Sequence, residues 1–321
     1  MKYAKDTRPK GLTGTEAQVL VEALPWIKNI TGKTVVIKYG GSAMVDPQLR
    51  ADVMSDIVLL KLVGVNPVIV HGGGKAITSA MELMGMPVEF RDGQRVTTPE
   101  SMDLIRTVLM GQVNQDLVGS LNDHGNFAVG LSGADGGIIV AEQKSKELGR
   151  VGTITRINRA LIDDLIADEY VPVIASVALG EDGGFFNVNA DMVAGRIAAA
   201  IGAHKVIFLT DVDGLYEDFD NKDSLISNLT LFEAQYLVEN EVVSTGMIPK
   251  LESCIYALKE GVFRAHILNG TTPHALLLEM LTSVGVGTTL HSTEESCRFD
   301  THPLGTFAAK LRENSFDAMM E

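Results

Sequence analysis

Six short β-branched runs recur along this chain, alternating with segments long enough for helices. No other feature restricts the fold as strongly. The runs at 34–39, 67–71, 127–131, 171–177, 205–210 and 265–268 read as strands, and the segments 48–63, 77–83, 101–110, 159–167, 190–201 and 249–259 read as helices. Strands separated by helical crossovers pair in parallel, and the crossovers cover both faces of the sheet. The expected class is therefore α/β, a three-layer αβα sandwich around a mostly parallel central sheet. A further run, 138–142, lies among glycines and is expected in a small hairpin.

In an open parallel sheet, ligands bind beyond the carboxyl ends of the strands. Those ends are conspicuous here: KYGGS after the first run, HGGGK after the second, GLSGADGG after the third and TDVDG after a later one. Gly72, Gly73 and Gly74 directly precede a helical segment, so their N–H groups are open to an anion at the positive end of the helix dipole. Lys38 raises a sharper question. Parallel strands are covered on both faces, and a lysine at the end of one needs an anionic partner. Arg95, Asp191 and Lys250 are further isolated charges in apolar or glycine-rich surroundings. The G-x-x-x-x-G-K-[ST] phosphate loop is missing, and HGGGKAI departs from G-x-G-x-x-G because Ile77 occupies the last glycine position. Protein-kinase H-R-D and D-F-G elements, H-E-x-x-H and G-x-S-x-G are missing too. P-loop enzymes, common dinucleotide dehydrogenases, zinc hydrolases and serine hydrolases are thereby disfavoured.

Composition bounds the rest. A chain of 321 residues, 45% hydrophobic and 21% charged, is ordinary for a folded protein and has room for one large α/β core or two smaller ones. A formal charge of -14 argues against nucleic acid or an anionic membrane surface as the main partner. Cys254 and Cys297 make neither a disulfide framework nor a zinc-site spacing. No apolar stretch reaches the roughly 20 residues of a membrane span, and the first residues lack a signal core, so cytoplasmic residence is expected. Thr13 and Glu16 have capping-box spacing, and Leu20, Leu24 and Ile27 recur at helical intervals in a helix expected to kink near Pro25. The expected organisation is an arm over 1–30, an N-terminal lobe over 31–180, a C-terminal lobe over 181–291 and an acidic, peripheral or poorly ordered tail over 292–321.

The ordered set VIKYGGSAM, VIVHGGGKAI, GQRVT, NVNAD, LTDVDGLY and GMIPK, with a match extending over roughly residues 15 to 290, resembles the amino acid kinase superfamily. The nearest branch uses ATP to phosphorylate the side-chain carboxylate of N-acetylglutamate, giving an acyl phosphate in arginine biosynthesis. The alternatives are a related kinase of N-acylated aminoadipate, aspartate or carbamate, or a catalytically silent arginine-sensing subunit. A carboxylate nucleophile is already ionised near neutral pH, which accounts for the missing general base and leaves positioning and positive charge to do the catalysis. The resemblance implies that Lys38 and Lys250 stabilise the transferring phosphoryl group from the acceptor and ATP sides, with Asp191 between them. It places Gly40, Gly41 and Gly73 at the phosphoryl group, and Gly73, Gly74, Arg95, Asn187 and Asn189 around the acceptor. Thr210, Asp211, Val212, Gly214, Leu215 and Tyr216, with Ser244, Gly246 and Met247, are implied to flank adenine and ribose. Mg2+ is implied to be held mainly by the ATP phosphates, with no protein metal ligand assigned and Asp191 as the alternative. Lys75 stands where many relatives carry proline, and it is expected to point to solvent.

The N-terminal helix and the segment HALLLEMLTSVGVGT resemble the arginine-inhibited branch, in which that helix joins three dimers into a hexamer. The resemblance implies a homo-oligomer, a trimer of dimers, with arginine as an effector bound between the helix and the C-terminal lobe. Trp26, Lys205, Glu279 and Gly287 are the candidate arginine contacts, with Glu279 pairing the guanidinium unless it is a solvated helix residue. A PII-type signalling protein is a further candidate partner; nucleic acid and membrane are not expected.

Overall fold

The structure, a computed structural model, describes residues 14–292 except 42, 43, 45, 219, 241 and 284. α1 (Gly14–Ile30) runs through Pro25 into β1 (Thr34–Tyr39), α2 (Pro47–Leu62), β2 (Asn66–His71) and α3 (Gly74–Leu83). Thr13, half of the expected capping box, lies outside the described residues. A hairpin of β3 (Phe90–Arg91) and β4 (Gln94–Arg95) precedes α4 (Pro99–Val108) and α5 (Gln115–Asn122). Next come β5 (Ala128–Ser132), β6 (Ile139–Gln143), β7 (Gly152–Ile157), α6 (Ala160–Ala167), β8 (Val171–Ala175), β9 (Val177–Gly180), β10 (Phe185–Asn187) and α7 (Ala190–Ala200). They are followed by β11 (Lys205–Thr210), β12 (Leu215–Tyr216), β13 (Leu225–Ile226), β14 (Asn228–Thr230), α8 (Leu231–Glu239), α9 (Ile248–Lys259), β15 (Arg264–Asn269), α10 (Ala275–Leu281) and β16 (Thr288–His291).

Eight strands form one sheet in the order β14-β16-β15-β11-β1-β2-β8-β5, parallel except where β15 meets β16. β1 lies between β2 and β11, so the chain winds to one side of it first and returns to the other. Ligands of open α/β sheets bind at such a switch point. Alternation along β1 sorts the two faces. Val36 packs with Val68, Phe208 and the buried sides of α7, α8 and α9, among them Val193, Ala234 and Leu251. Val35 and Ile37 pack instead with residues of α2, α3, α4 and α10, including Ile57, Met81, Ile105 and Met280. Each fully buried aliphatic side chain contributes roughly 1.5–3 kcal/mol, so a strand apolar on both faces is held only in the middle layer.

The small hairpin is present as β6 paired antiparallel with β7. Two other expectations need correction. The run 171–177 is not one strand: β8 stays in the large sheet, and after the buried Ser176 the chain enters a four-stranded sheet of order β10-β9-β6-β7. Both halves are apolar, so composition carries no mark of the change. The helix expected over 101–110 ends as an α-helix at Val108, widens into a π-helical stretch at Leu109–Asn114 and continues as α5. The wide turn brings Asn114 to the central strands. Its Nδ2 donates to His71 Nε2 and to the Val173 carbonyl, both at 2.9 Å. No helix among the described residues is long and apolar enough to cross a membrane.

Candidate active site

Alternation in β1 puts Lys38 on the face of Val36, where α7 and α9 pack. The first turns of those helices form its surroundings. Asn189 caps α7, its Oδ1 accepting from the N–H groups of Asp191 at 2.8 Å and Met192 at 3.2 Å. Asp191 is thereby fixed in the first turn, where the helix dipole favours an acid. Lys250 occupies the first turn of α9, where the same dipole disfavours a cation. The two placements are understandable together. Asp191 Oδ1 is 2.9 Å from Lys38 Nζ, and Oδ2 accepts from Lys250 Nζ at 3.2 Å. The acid side chain is 8% exposed, and those of the two lysines 12% and 17%. Burial by itself would raise the Asp191 pKa, but the two ammonium groups outweigh it and hold the carboxyl below its ordinary value. Among the ion pairs of the described residues, Asp191 is the carboxylate that both ammonium groups share, in a nearly dry place.

The glycines of KYGG clear the adjoining space. Lys38 Nζ lies only 2.7 Å from where a Cβ of Gly40 would stand. Gly41 has φ +77°, and a methyl there would collide with the Asp211 carboxylate after β11.

Beside the triad opens a cleft of about 750 Å³, lined by Lys38, Gly40, Gly41, Gly73, Gly74, Arg95, Asn187, Asn189 and Asp191. The expected acceptor and phosphoryl residues are thus brought together, with the exception of Lys250, which joins through Asp191. Arg95 is 7% exposed and has no acidic partner among the described residues. Its Nη2 donates to Thr78 Oγ1 at 2.6 Å and to the Gly74 carbonyl at 3.1 Å, and its guanidinium lies 4.7 Å from the centre of the Phe90 ring. Burial lowers its pKa. A buried cation without an anion is costly unless a ligand supplies one. Asn187 Nδ2 donates to Thr97 Oγ1 at 3.3 Å, and Thr97 in turn donates to the Arg95 carbonyl at 3.0 Å. Lys75, expected to point to solvent, is exposed but also lines the cleft.

Sequence reasoning missed Thr78 and Thr97, which hold Arg95, although Thr97 lies inside the GQRVT segment that carried the resemblance. It also missed Arg50 and Asp116, 3.6 Å apart at the cleft. Their pairing joins α2 to α5 and has no local signal. The histidine of HGGG is structural. His71 is fully buried; Nδ1 donates to the Gly72 carbonyl at 2.9 Å, and Nε2 accepts from Asn114. Burial pushes its pKa down to about 4, so the ring is neutral and fixes the start of the glycine turn.

The residues expected around adenine and ribose follow β11 and precede α9, and none lines the cleft. Leu215 N–H donates to Thr288 Oγ1 at 2.8 Å, beside Gly214. The Tyr216 hydroxyl donates to Asp213, which also accepts from Asn269 Nδ2 at 2.8 Å. Ser244 and Gly246 are exposed, and the N–H of Met247 donates to the Ser244 carbonyl at 2.8 Å. Thr210 ends β11 and accepts from Gly270 N–H at 2.8 Å, while Val212 is half-buried in the turn beyond it.

The four candidate arginine contacts fall around α10. Trp26 is half-buried against the core that includes Leu276 and Met280, and Gly287 is packed against the Ile267 carbonyl. Glu279 is not a solvated helix residue: its side chain is 5% exposed. It accepts from His266 Nδ1 at 2.7 Å, Val286 N–H at 3.0 Å and Thr289 Oγ1 at 3.0 Å. Burial would raise its pKa, but these bonds hold it down to about 2. Burial and the Lys205 charge push His266 down to about 4, so its ring is neutral with the proton on Nδ1. Lys205 is lowered to about 8 by burial and by Arg264, with Glu279 acting the other way.

The amino acid kinase family profile matches residues 33–269. The protein named acetylglutamate kinase in Halothermothrix orenii is 50% identical over 278 residues, 85% of this chain and 96% of its own length. Its namesake in Caldanaerobacter subterraneus is 49% identical over 275 residues, covering 85% of this chain and 92% of the relative. Among solved structures, that of smu.665 from Streptococcus mutans superposes with a TM-score of 0.68 at 30% identity, over 81% of this chain and 99% of the other. With the family profile running from β1 through β15 and about half of all positions shared along such relatives, the chain belongs to the amino acid kinase family and, within it, to the acetylglutamate kinases.

Proposed function

We propose that the chain transfers the γ-phosphoryl group of ATP to the side-chain carboxylate of N-acetyl-L-glutamate, giving N-acetyl-L-glutamyl 5-phosphate for arginine biosynthesis in the cytoplasm. The observation that carries this reading is the Asp191 carboxylate held between Lys38 and Lys250 at the edge of a cleft containing Arg95, which has no acidic partner among the described residues. The acceptor carboxylate is ionised near neutral pH and attacks without a base, so the barrier is the approach of two anions in line. Lys38 and Lys250 meet the charge on the transferring oxygens from opposite sides, and Asp191 sets their spacing. Gly40, Gly41 and Gly73 leave N–H groups open to the same space, and the planar fork of Arg95 takes the acceptor's other carboxylate. Residues 31–180 hold the acyl amino acid, with Asn187 and Asn189 closing the site, and 181–291 hold ATP along 210–216 and 244–247.

Mg2+ neutralises phosphate charge and enters with ATP. Its ligands are mainly the ATP phosphates, a reading supported by Asp191, whose two oxygens are each engaged by an ammonium group. Arginine binds at α10 as a feedback inhibitor, supported by the nearness of Lys205 to the buried, ionised Glu279. The exposed Val19, Leu20, Val21 and Leu24 of α1 support docking onto another copy, as in a trimer of dimers. A PII-type protein is a further candidate partner.

Trapping the acyl phosphate with hydroxylamine tests the reaction. N-acetylglutamate is expected to give the strongest signal among N-acetylglutamate, glutamate, aspartate, N-acetylaminoadipate and carbamate. No signal with it overturns the reading. Unchanged saturation curves in millimolar arginine would overturn the inhibition alone.

A further inference from the structure

We propose that Lys75 is a specificity-determining residue for the acceptor, forming with Arg95 a two-cation seat for the carboxylate that is not phosphorylated. The proposal rests on the reaction read above. Lys75 is the second residue of α3 and lines the cleft directly after Gly74. The Gly74 carbonyl accepts from Arg95 Nη2 at 3.1 Å, so Lys75 is chained to the group that fixes Arg95. The other cations of the cleft already face anions: Lys38 has Asp191 at 2.9 Å, and Arg50 has Asp116 at 3.6 Å. Lys75 has no ion pair among the described residues, and neither has Arg95. Two cations without anions, in one cleft of a chain with formal charge -14, call for a ligand that carries negative charge beyond its reacting end. A monoanionic acceptor is served by the phosphoryl-side lysines alone. A dianionic N-acyl amino acid brings a second carboxylate, which Arg95 takes as a rigid buried fork and Lys75 attracts as a mobile, solvated charge.

The test is steady-state kinetics of the whole protein and of Lys75→Gln, Lys75→Glu and Lys75→Arg. Two acceptors are compared, N-acetylglutamate and N-acetyl-4-aminobutanoate, which keeps the reacting carboxylate and lacks the other. Lys75→Gln is expected to raise the KM for N-acetylglutamate about three- to fivefold, the scale of one solvent-screened ion pair, with kcat and the KM for ATP within about twofold. Lys75→Glu raises it further, Lys75→Arg restores it, and added salt narrows the differences. With the monoanion, as substrate or competitive inhibitor, all variants match the parent chain. An unchanged KM for N-acetylglutamate in Lys75→Gln, or an equal rise with the monoanion, overturns the proposal. If the parent chain phosphorylates neither compound, the reaction reading has failed separately. Calorimetric binding of the same two acids to parent and Lys75→Gln then decides, and equal affinity for the dianion overturns the seat.

Discussion

Charge placement at single residues separates binding from turnover. In the proposed reaction Lys38 acts on an oxygen whose charge develops during transfer, and loss of one such preorganised donor typically costs a factor of about 10² to 10³. Lys38→Ala is therefore expected to lower kcat on that scale while the KM for ATP changes little, and steady-state kinetics with ATP varied would expose an intact kcat. In the same proposed reaction Arg95 meets a carboxylate that is present equally in the ground and transition states. Arg95→Ala should chiefly raise the KM for the acyl amino acid, and an unchanged KM with a collapsed kcat would assign it to the reacting atoms instead. At this scale much was legible. Lys38, Arg95, Asp191 and Lys250 stand out because each is a charge in apolar or glycine-rich sequence. Thr78 and Thr97, which aim Arg95, do not stand out, since a threonine reads the same whether it holds a guanidinium or faces water.

Elements hold these residues at their angles. The cap on α7 and the first turn of α9 deliver Asp191 and Lys250 to one strand end, and the π-helical stretch delivers Asn114 to His71. Asn114 is fully buried, and its amide satisfies both a ring nitrogen and a strand carbonyl. Asn114→Ala strands these acceptors and frees the ring that fixes the glycine turn. The expected loss is about 2–3 kcal/mol of stability, with weaker acceptor binding as well. Urea unfolding read alongside the acceptor KM would check both, and an unshifted midpoint would remove the structural role. The strands were read within a residue or so wherever a β-branched run ended at a polar residue or glycine. The boundary at Ser176 was not, because a strand that leaves one sheet for another keeps its apolar composition. A π-helical turn is likewise silent, since one extra residue shifts the apolar period by less than the irregularity of ordinary helices.

Across the whole molecule, α10 is tied to α2 by a bond between residues far apart in the chain. His274, with φ 57° at the start of α10, donates from Nδ1 to Oδ1 of Asp56 at 2.7 Å, and Asp56 is 1% exposed. Burial raises the Asp56 pKa to about 6 against the opposing effect of His274, whose own pKa is raised by its bond to Asp56. Both groups bind protons more tightly in the folded chain. The stability they contribute is thus complete below the unfolded values and is lost as pH rises through about 6 and then through the raised histidine pKa. The stability difference between the parent chain and Asp56→Asn should accordingly shrink by on the order of 2 kcal/mol from about pH 4.5 to about pH 8. Denaturant titrations at the two pH values would show it, and a constant or widening difference would dismiss the clasp. The sequence by itself determined the parallel sheet, the glycine turns at its strand ends and the ordered charges that mark the family, because periodicity, turn chemistry and misplaced charge act over a few neighbouring residues. Only the tertiary structure decided that His71 is neutral and structural, that Glu279 is buried and ionised, and that Lys75 lines the cleft. Those properties depend on which groups from distant segments meet in a medium of low polarity, where each partner changes the charge state of the next.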